Sequence, residues 1–256
     1  MNISLSFDVE EDLHSPTYKS LEEGLPRLLN ILDRHGIKVT FFVPAKLIEK
    51  FPNYFKDLSF RGHEIALHGY EHERFDDLTL FEKERRIKEA IRIYKKVFKE
   101  IPKGFRAPQH SIDEQTLHIL EKNKFVYDSS YTPVNILQIF FFPKRLGHGL
   151  KGFFTPRSRY FLSKKFQEIP VSSSGIPGIS LFLRVFSGIF LKLYLSFLRA
   201  THKNLVFYTH SWDFIELPKS KIDKKFPYKN LLKNLDCLIR LSKKDKFVTL
   251  EKLASN

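Results

Sequence analysis

The chain of 256 residues has one cysteine and one tryptophan, and 29 acidic residues against 43 lysines and arginines. Each scarcity excludes something. A lone Cys237 can build neither an intramolecular disulfide framework nor a thiolate zinc site, so any metal must rest on histidine and carboxylate. No internal repeat, low-complexity tract or Gly/Ser-rich joint interrupts the chain, so residues 1–256 are read as one unit. The opening MNISLSFDVEED turns acidic before an apolar h-region can form. No secretory signal peptide is expected from it, and a cytoplasmic, reducing setting is the expectation. With 42% hydrophobic positions the chain is too apolar for general disorder, and it is long enough to bury a core without staples.

The net charge of +14 suggests an anionic partner. Its distribution is uneven. Between Val134 and Lys203 there are eleven basic residues and one acid, Glu168, together with the apolar runs Ile139–Phe142 and Ile179–Leu198. A stretch both basic and greasy fits an anionic membrane surface better than a nucleic-acid duplex, for which no motif is present. A merely solubilising basic surface is the plainer alternative.

Strand-like and helix-like segments alternate. Ile3–Phe7 reads as a strand, Leu21–His35 as a helix ended by Gly36, and Lys38–Val43 as a strand closed by Pro44. Glu64–Leu67 is a short strand, Thr79–Lys99 a long charged helix, Asp113–Lys122 a helix and Phe125–Tyr127 a strand. Later come the strand Leu205–Thr209, the helix Leu231–Leu241 and a last strand Phe247–Leu250. Such alternation predicts an α/β fold with a parallel sheet, whose sites lie at the carboxyl ends of strands. Asp8, Glu10, His68 and His210 all fall at such ends.

His68-Gly-Tyr-Glu-His72 puts two imidazoles four residues apart, a spacing that brings both to one face of a helical turn. Asp8 and Glu10 flank Val9, and in an extended segment they project to the same side. One carboxylate could complete a two-His, one-carboxylate metal site while the other stays free as a base.

The order SFDVE, RGHEIALHGYEH, FRAPQ, YDSSY, EIPVS, FYTHSW resembles the polysaccharide deacetylase family, the NodB-homology or carbohydrate esterase family 4 group, from about Ile3 to Trp212. The resemblance implies a distorted (β/α) barrel of about seven strands, carrying a divalent ion, zinc being the expected one. By position it implies Asp8 as base, Arg106 as the arginine that orients it, His210 as general acid and His68 and His72 as metal ligands. Val9 stands where the commonest pattern has a second aspartate; in the Asp-x-Asp/Glu subgroup the third ligand falls two residues on, at Glu10. The family pattern further assigns the backbone N–H of Gln109 to the oxyanion; Trp212, in the same motif as His210, is read as a substrate residue. Asp128 and Asp213 are read as supporting groups only, and His63 as structural.

The expected function is therefore metal-dependent removal of N-acetyl groups from an amino sugar or glycan. Two rivals stay open: a metal-independent, allantoinase-like cyclic-amide hydrolase, and a non-catalytic glycan- or lipid-binding module. The run Ile179–Leu198 has the length of a bilayer span, but Arg184 and Lys192 lie inside it and Gly188 offers a break. Ser180, Arg184, Ser187, Lys192, Ser196 and Arg199 share half of a helical wheel. The segment is thus expected to lie against something, either packed on the barrel as a helix pair or on an anionic membrane carrying a lipid-linked substrate. Lys144, Arg145, Lys151, Arg157, Arg159, Lys164 and Lys165 would add to the attraction.

Overall fold

The computed structural model of the chain describes residues 1–12, 15–133, 155–173, 180–217 and 225–255. The strands are β1 (Asn2–Asp8), β2 (Thr40–Val43), β3 (Glu64–Leu67), β4 (Gly104–Phe105), β5 (Tyr127–Asp128), β6 (Tyr160–Phe161), β7 (Gln167–Glu168), β8 (Asn204–His210) and β9 (Lys246–Phe247). Seven of them run parallel in the order β7-β5-β4-β3-β2-β1-β8. β6 adds an antiparallel hairpin on β7, and β9 adds a short parallel pairing to β1. Just past β7, the Ser172 N–H donates to the Val206 carbonyl of β8 at 2.9 Å. This seam brings the two ends of the sheet together. The expected distorted (β/α) barrel is what forms.

β1 shows how the sequence writes this architecture. Side chains alternate across a strand. Ile3, Leu5 and Phe7 join the layer between sheet and helices, while Ser4, Ser6 and Asp8 are buried on the other face. Inside the barrel a smaller cluster, including Phe42, Ala66, Tyr127, Ile169 and Val206, fills the floor. Small polar residues on β1 thus leave interior room for a larger polar side chain.

The helices are α1 (Leu25–Arg34), α2 (Ala45–Lys50), α3 (Pro52–Phe60), α4 (Leu80–Phe98), α5 (Glu114–Lys122), α6 (Ser180–Val185), α7 (Ile189–Thr201), α8 (Tyr228–Leu241) and α9 (Leu250–Ser255). Gly36 sits just past α1 at φ +63, the left-handed position that glycine fills at a helix end. Thr79 caps α4 with Glu82 in a reciprocal capping box, and Asp113 caps α5 by accepting from the Thr116 N–H. Two readings need correction, and two helices were not foreseen. The helix expected from Leu21 starts with a wide turn at Ser20–Gly24 before α1. Leu250 begins α9 rather than ending the last strand, which stops at Phe247. α2 and α3, split at Phe51–Pro52, escaped the reading because each is too short to show a clear period.

The run Ile179–Leu198 is broken, as Gly188 suggested. Gly188 takes φ +56, ψ −119, a combination that strains any residue with a Cβ, and α6 and α7 lie on either side. No described helix is long and apolar enough to cross a membrane. The break also undoes the continuous polar half: Arg184 is buried, not on a solvent face. Lys144, Arg145 and Lys151 lie outside the described residues.

Candidate active site

Four strands deliver the polar side chains to one end of the barrel: β1 carries Asp8, and His68, Arg106 and His210 stand at the ends of β3, β4 and β8. Asp8 and Arg106 form the centre. Arg106 is fully buried and donates from Nη1 to Asp8 Oδ1 at 2.7 Å. Its other donors reach Ser6 Oγ, Ser129 Oγ and the Ser129 carbonyl at 2.9–3.0 Å. The guanidinium lies over the Phe42 ring at 4.1 Å, and that contact stabilises a cation. Ser6 is the small polar residue whose interior face left this room. Burial works against charge on Asp8, but the Arg106 cation, followed by His68 and His210, outweighs it and brings the carboxyl down to about 2. Asp8 is therefore an ionised carboxylate at neutral pH.

Glu10, His68 and His72 come together beside this pair, with ligand-capable atoms all within 4.8 Å of one another. The two histidines do not share a helical turn as the spacing predicted. His68 follows β3 directly, and the next residues form a tight loop with Gly69 at φ +76 and His72 at φ +72. The Glu73 carboxylate holds that loop by accepting from the Tyr70 and Glu71 N–H groups. The left-handed backbone at His72 turns its ring back, so the imidazoles meet with centroids 5.2 Å apart and His72 Nε2 contacts Glu10 Oε2. His68 Nδ1 faces the Arg106 carbonyl at 2.9 Å. A carbonyl only accepts, so Nδ1 carries the proton and Nε2 presents a lone pair. Burial lowers the His68 pKa, keeping it neutral and available as a ligand. A ligating histidine held by its second nitrogen, a buried carboxylate and a second imidazole are a donor set that suits zinc.

His210 faces this group from the far side, its Nε2 3.9 Å from Glu10 Oε1. Behind it, Asp213 accepts from the His210 backbone N–H at 2.8 Å and lies 3.4 Å from Nδ1. Burial disfavours the imidazolium, but Asp213 above all, then Glu10 and Asp8, raise His210 to about 9. Trp212 stacks on the His210 ring at 4.4 Å with planes 9° apart. Trp212 also lines a cleft of about 670 Å³ with Glu10, His72, Tyr18, Leu47 and Lys50. Gln109 is exposed, at φ +53 in the loop after β4.

Several supporting groups were weakly legible or missed. Asp213, read only as a supporting group, is the direct partner of His210; its position three residues after a strand-ending residue is the capping-box spacing that signals it. Arg184 backs Asp213, donating to its carboxylate and carbonyl at 3.2 and 2.9 Å; α6 brings it there from distant sequence, and no local signal announces it. Asp128 accepts from Ser130 Oγ, which in turn accepts from the Ala107 N–H, fixing the loop after Arg106. Burial, and then neighbouring Asp128, push Glu168 well above the carboxylate range, which favours its neutral form. His110, also unforeseen, donates from Nδ1 to the Ser130 carbonyl at 2.7 Å and packs edge-on to Tyr208. His63 is structural as read: its buried Nδ1 accepts from the Val39 N–H.

The family model described as polysaccharide deacetylase matches residues 2–127. A peptidoglycan deacetylase-like protein of Gibberella zeae is 42% identical over 109 residues, 42% of this chain and 32% of that protein. The peptidoglycan deacetylase of Helicobacter pylori is 32% identical over 109 residues, 43% of this chain and 37% of that one. These matches span about a third of the length of each relative. Among solved structures, a Mycobacterium smegmatis protein assigned to the polysaccharide deacetylases superposes with TM-score 0.69 at 20% identity, covering 99% of this chain and 88% of that one. An allantoinase superposes with TM-score 0.71 at 18% identity, covering 99% and 89%. At such identities the superpositions speak for the fold alone.

Proposed function

Because the chain belongs to the polysaccharide deacetylase family through residues 2–127, we propose that its site hydrolyses the N-acetyl amide of an amino sugar, free in a glycan or carried on a lipid. The observation that carries this reading is a buried Asp8 clamped by Arg106, set beside a Glu10–His68–His72 cluster and facing His210, which Asp213 backs.

Amide hydrolysis needs a water made nucleophilic, a carbonyl made electrophilic and an amine leaving group that is protonated. A divalent ion held by Glu10, His68 and His72, zinc by the chemistry of the donors, would supply Lewis acidity and lower the pKa of bound water. Asp8 accepts the proton of the attacking water, and Arg106 keeps that carboxylate ionised and aimed. His210 donates a proton to the departing amine nitrogen, with Asp213 holding its Nδ1 side so that Nε2 faces the reaction. The backbone N–H of Gln109 is assigned to the developing oxyanion. Tyr18 and Trp212 offer the cleft aromatic faces against which a sugar ring can pack.

Acetate release from N-acetylated oligosaccharides, measured beside ring opening of allantoin and with bound metal quantified, tests the reading. Acetate release that falls with chelation and returns with zinc is expected. Ring opening without metal would replace this function by the cyclic-amide reading. Sugar binding without turnover would replace it by the binding module.

A further inference from the structure

The outer face of α7 is unlike a surface helix. Leu191, Leu195 and Leu198 are buried against the barrel, yet Ile189, Phe190, Leu193 and Phe197 on the other side are 51–61% exposed. At about 100° per residue these four fall within an arc of about 100°, with Lys192 and Ser196 at its flank. Val185, at the end of α6, extends the apolar surface. A helix apolar on both faces is one that something covers, and exposed apolar patches of this kind mark interaction sites. The patch begins, along the chain, next to a residue that supports the site. Arg184 bonds Asp213, the partner of His210, and Val185, Ile189 and Phe190 are among the next six residues.

We propose that the outer face of α7, with Val185, docks onto the surface of an anionic phospholipid bilayer, bringing the site end of the barrel to the headgroups. Charge selects this occupant. From Ile169 to Trp212 the chain has no acidic residue and carries Arg184, Lys192, Arg199 and Lys203. Arg184 and Arg199 are paired with Asp213 and Asp245, whereas exposed Lys192, at the edge of the patch, has no ion-pair partner among the described residues. The wider stretch 134–203 has a net charge of +10, and basic residues beside a hydrophobic face favour anionic headgroups. A second copy seated symmetrically on the same face would set two basic stretches, each with Lys192 at the edge of its patch, against each other. With 13 residues, about 20 Å of helix, α7 is too short to cross a bilayer and has the length and pattern to lie in its interface. The proposal goes beyond the deacetylase reading, because docking is read without turnover.

Flotation of the full chain with phosphatidylcholine vesicles and with vesicles rich in phosphatidylglycerol tests it. The chain should float with the anionic vesicles only, and high salt should release it. Phe190→Ser/Leu193→Ser should reduce the bound fraction at least about tenfold by removing apolar contact. Lys192→Glu should reduce binding to anionic vesicles, and both variants should unfold at the wild-type temperature. No flotation, equal partition to neutral and anionic vesicles, or binding unchanged in the double variant overturns the proposal. So does a wild-type dimer that the same double variant converts to monomer without any vesicle binding. A chain inactive on every sugar still gives a flotation result, so the two readings fail separately.

Discussion

The site end of the barrel and the outer face of α7 follow opposite rules. At the site, charges are taken out of water and matched: Asp8 by Arg106, Asp213 by Arg184 and His210. On α7, large apolar side chains remain in water beside a lysine with no ion-pair partner among the described residues. Matching buried charge is obligatory for folding, since an orphaned buried ion costs several kcal/mol. Leaving apolar surface exposed costs little in the isolated chain, and its energy is available only to a partner. The first arrangement therefore reports on chemistry within the molecule, the second on what lies outside it.

The contrast can be broken most severely at Arg106. Arg106→Ala removes the counter-charge of a buried carboxylate and the donors to Ser6 and Ser129, and should destabilise the fold by about 3–5 kcal/mol in urea unfolding. Loss of less than about 1 kcal/mol would mean that the pair behaves as if solvated. Next, Asp8→Asn should cut turnover at least about a hundredfold, the worth of a positioned base, with metal content unchanged. Glu10→Gln should lower metal affinity instead. The reverse pattern in elemental analysis would exchange their roles.

A smaller effect is expected in the pH dependence. His210 is raised to about 9, so its charged form is favoured by folding: that contribution to stability is full below the ordinary histidine value and lost as pH rises through about 9. In the proposed reaction protonated His210 is the general acid, and an alkaline limb to kcat is expected from it. Asp213→Asn removes its chief counter-charge, so that limb should move to lower pH while the acid limb stays. An unmoved alkaline limb would assign it to another group. Asp8 runs the other way: its pKa, depressed to about 2, gives stability present above the ordinary carboxylate value and lost as pH falls toward 2. The smallest effect belongs to α7. Phe190→Ser/Leu193→Ser should change unfolding free energy by no more than about 0.5 kcal/mol, as for exposed positions. A larger loss in urea unfolding would show that this face is part of the core.

The sequence by itself determined the barrel and the residues that meet in it. Alternation of apolar and polar side chains along β1, the caps at Thr79 and Asp113, and Gly36 and Gly188 are local signals, and each is written within a few residues. The strand-end positions of Asp8, His68, Arg106 and His210 follow from them, because a parallel barrel brings all such ends to one side. Only the tertiary structure decided how those residues engage. The HGYEH loop works through a left-handed His72 and the Glu73 carboxylate, not a helical turn. Arg184 reaches Asp213 from 29 residues away, and Glu168 meets Asp128 across neighbouring strands. Partners so distant leave no spacing to read. Whether an apolar run like Ile189–Phe197 faces the core or the solvent is likewise fixed by what packs on its other side, a long-range contact that periodicity does not encode.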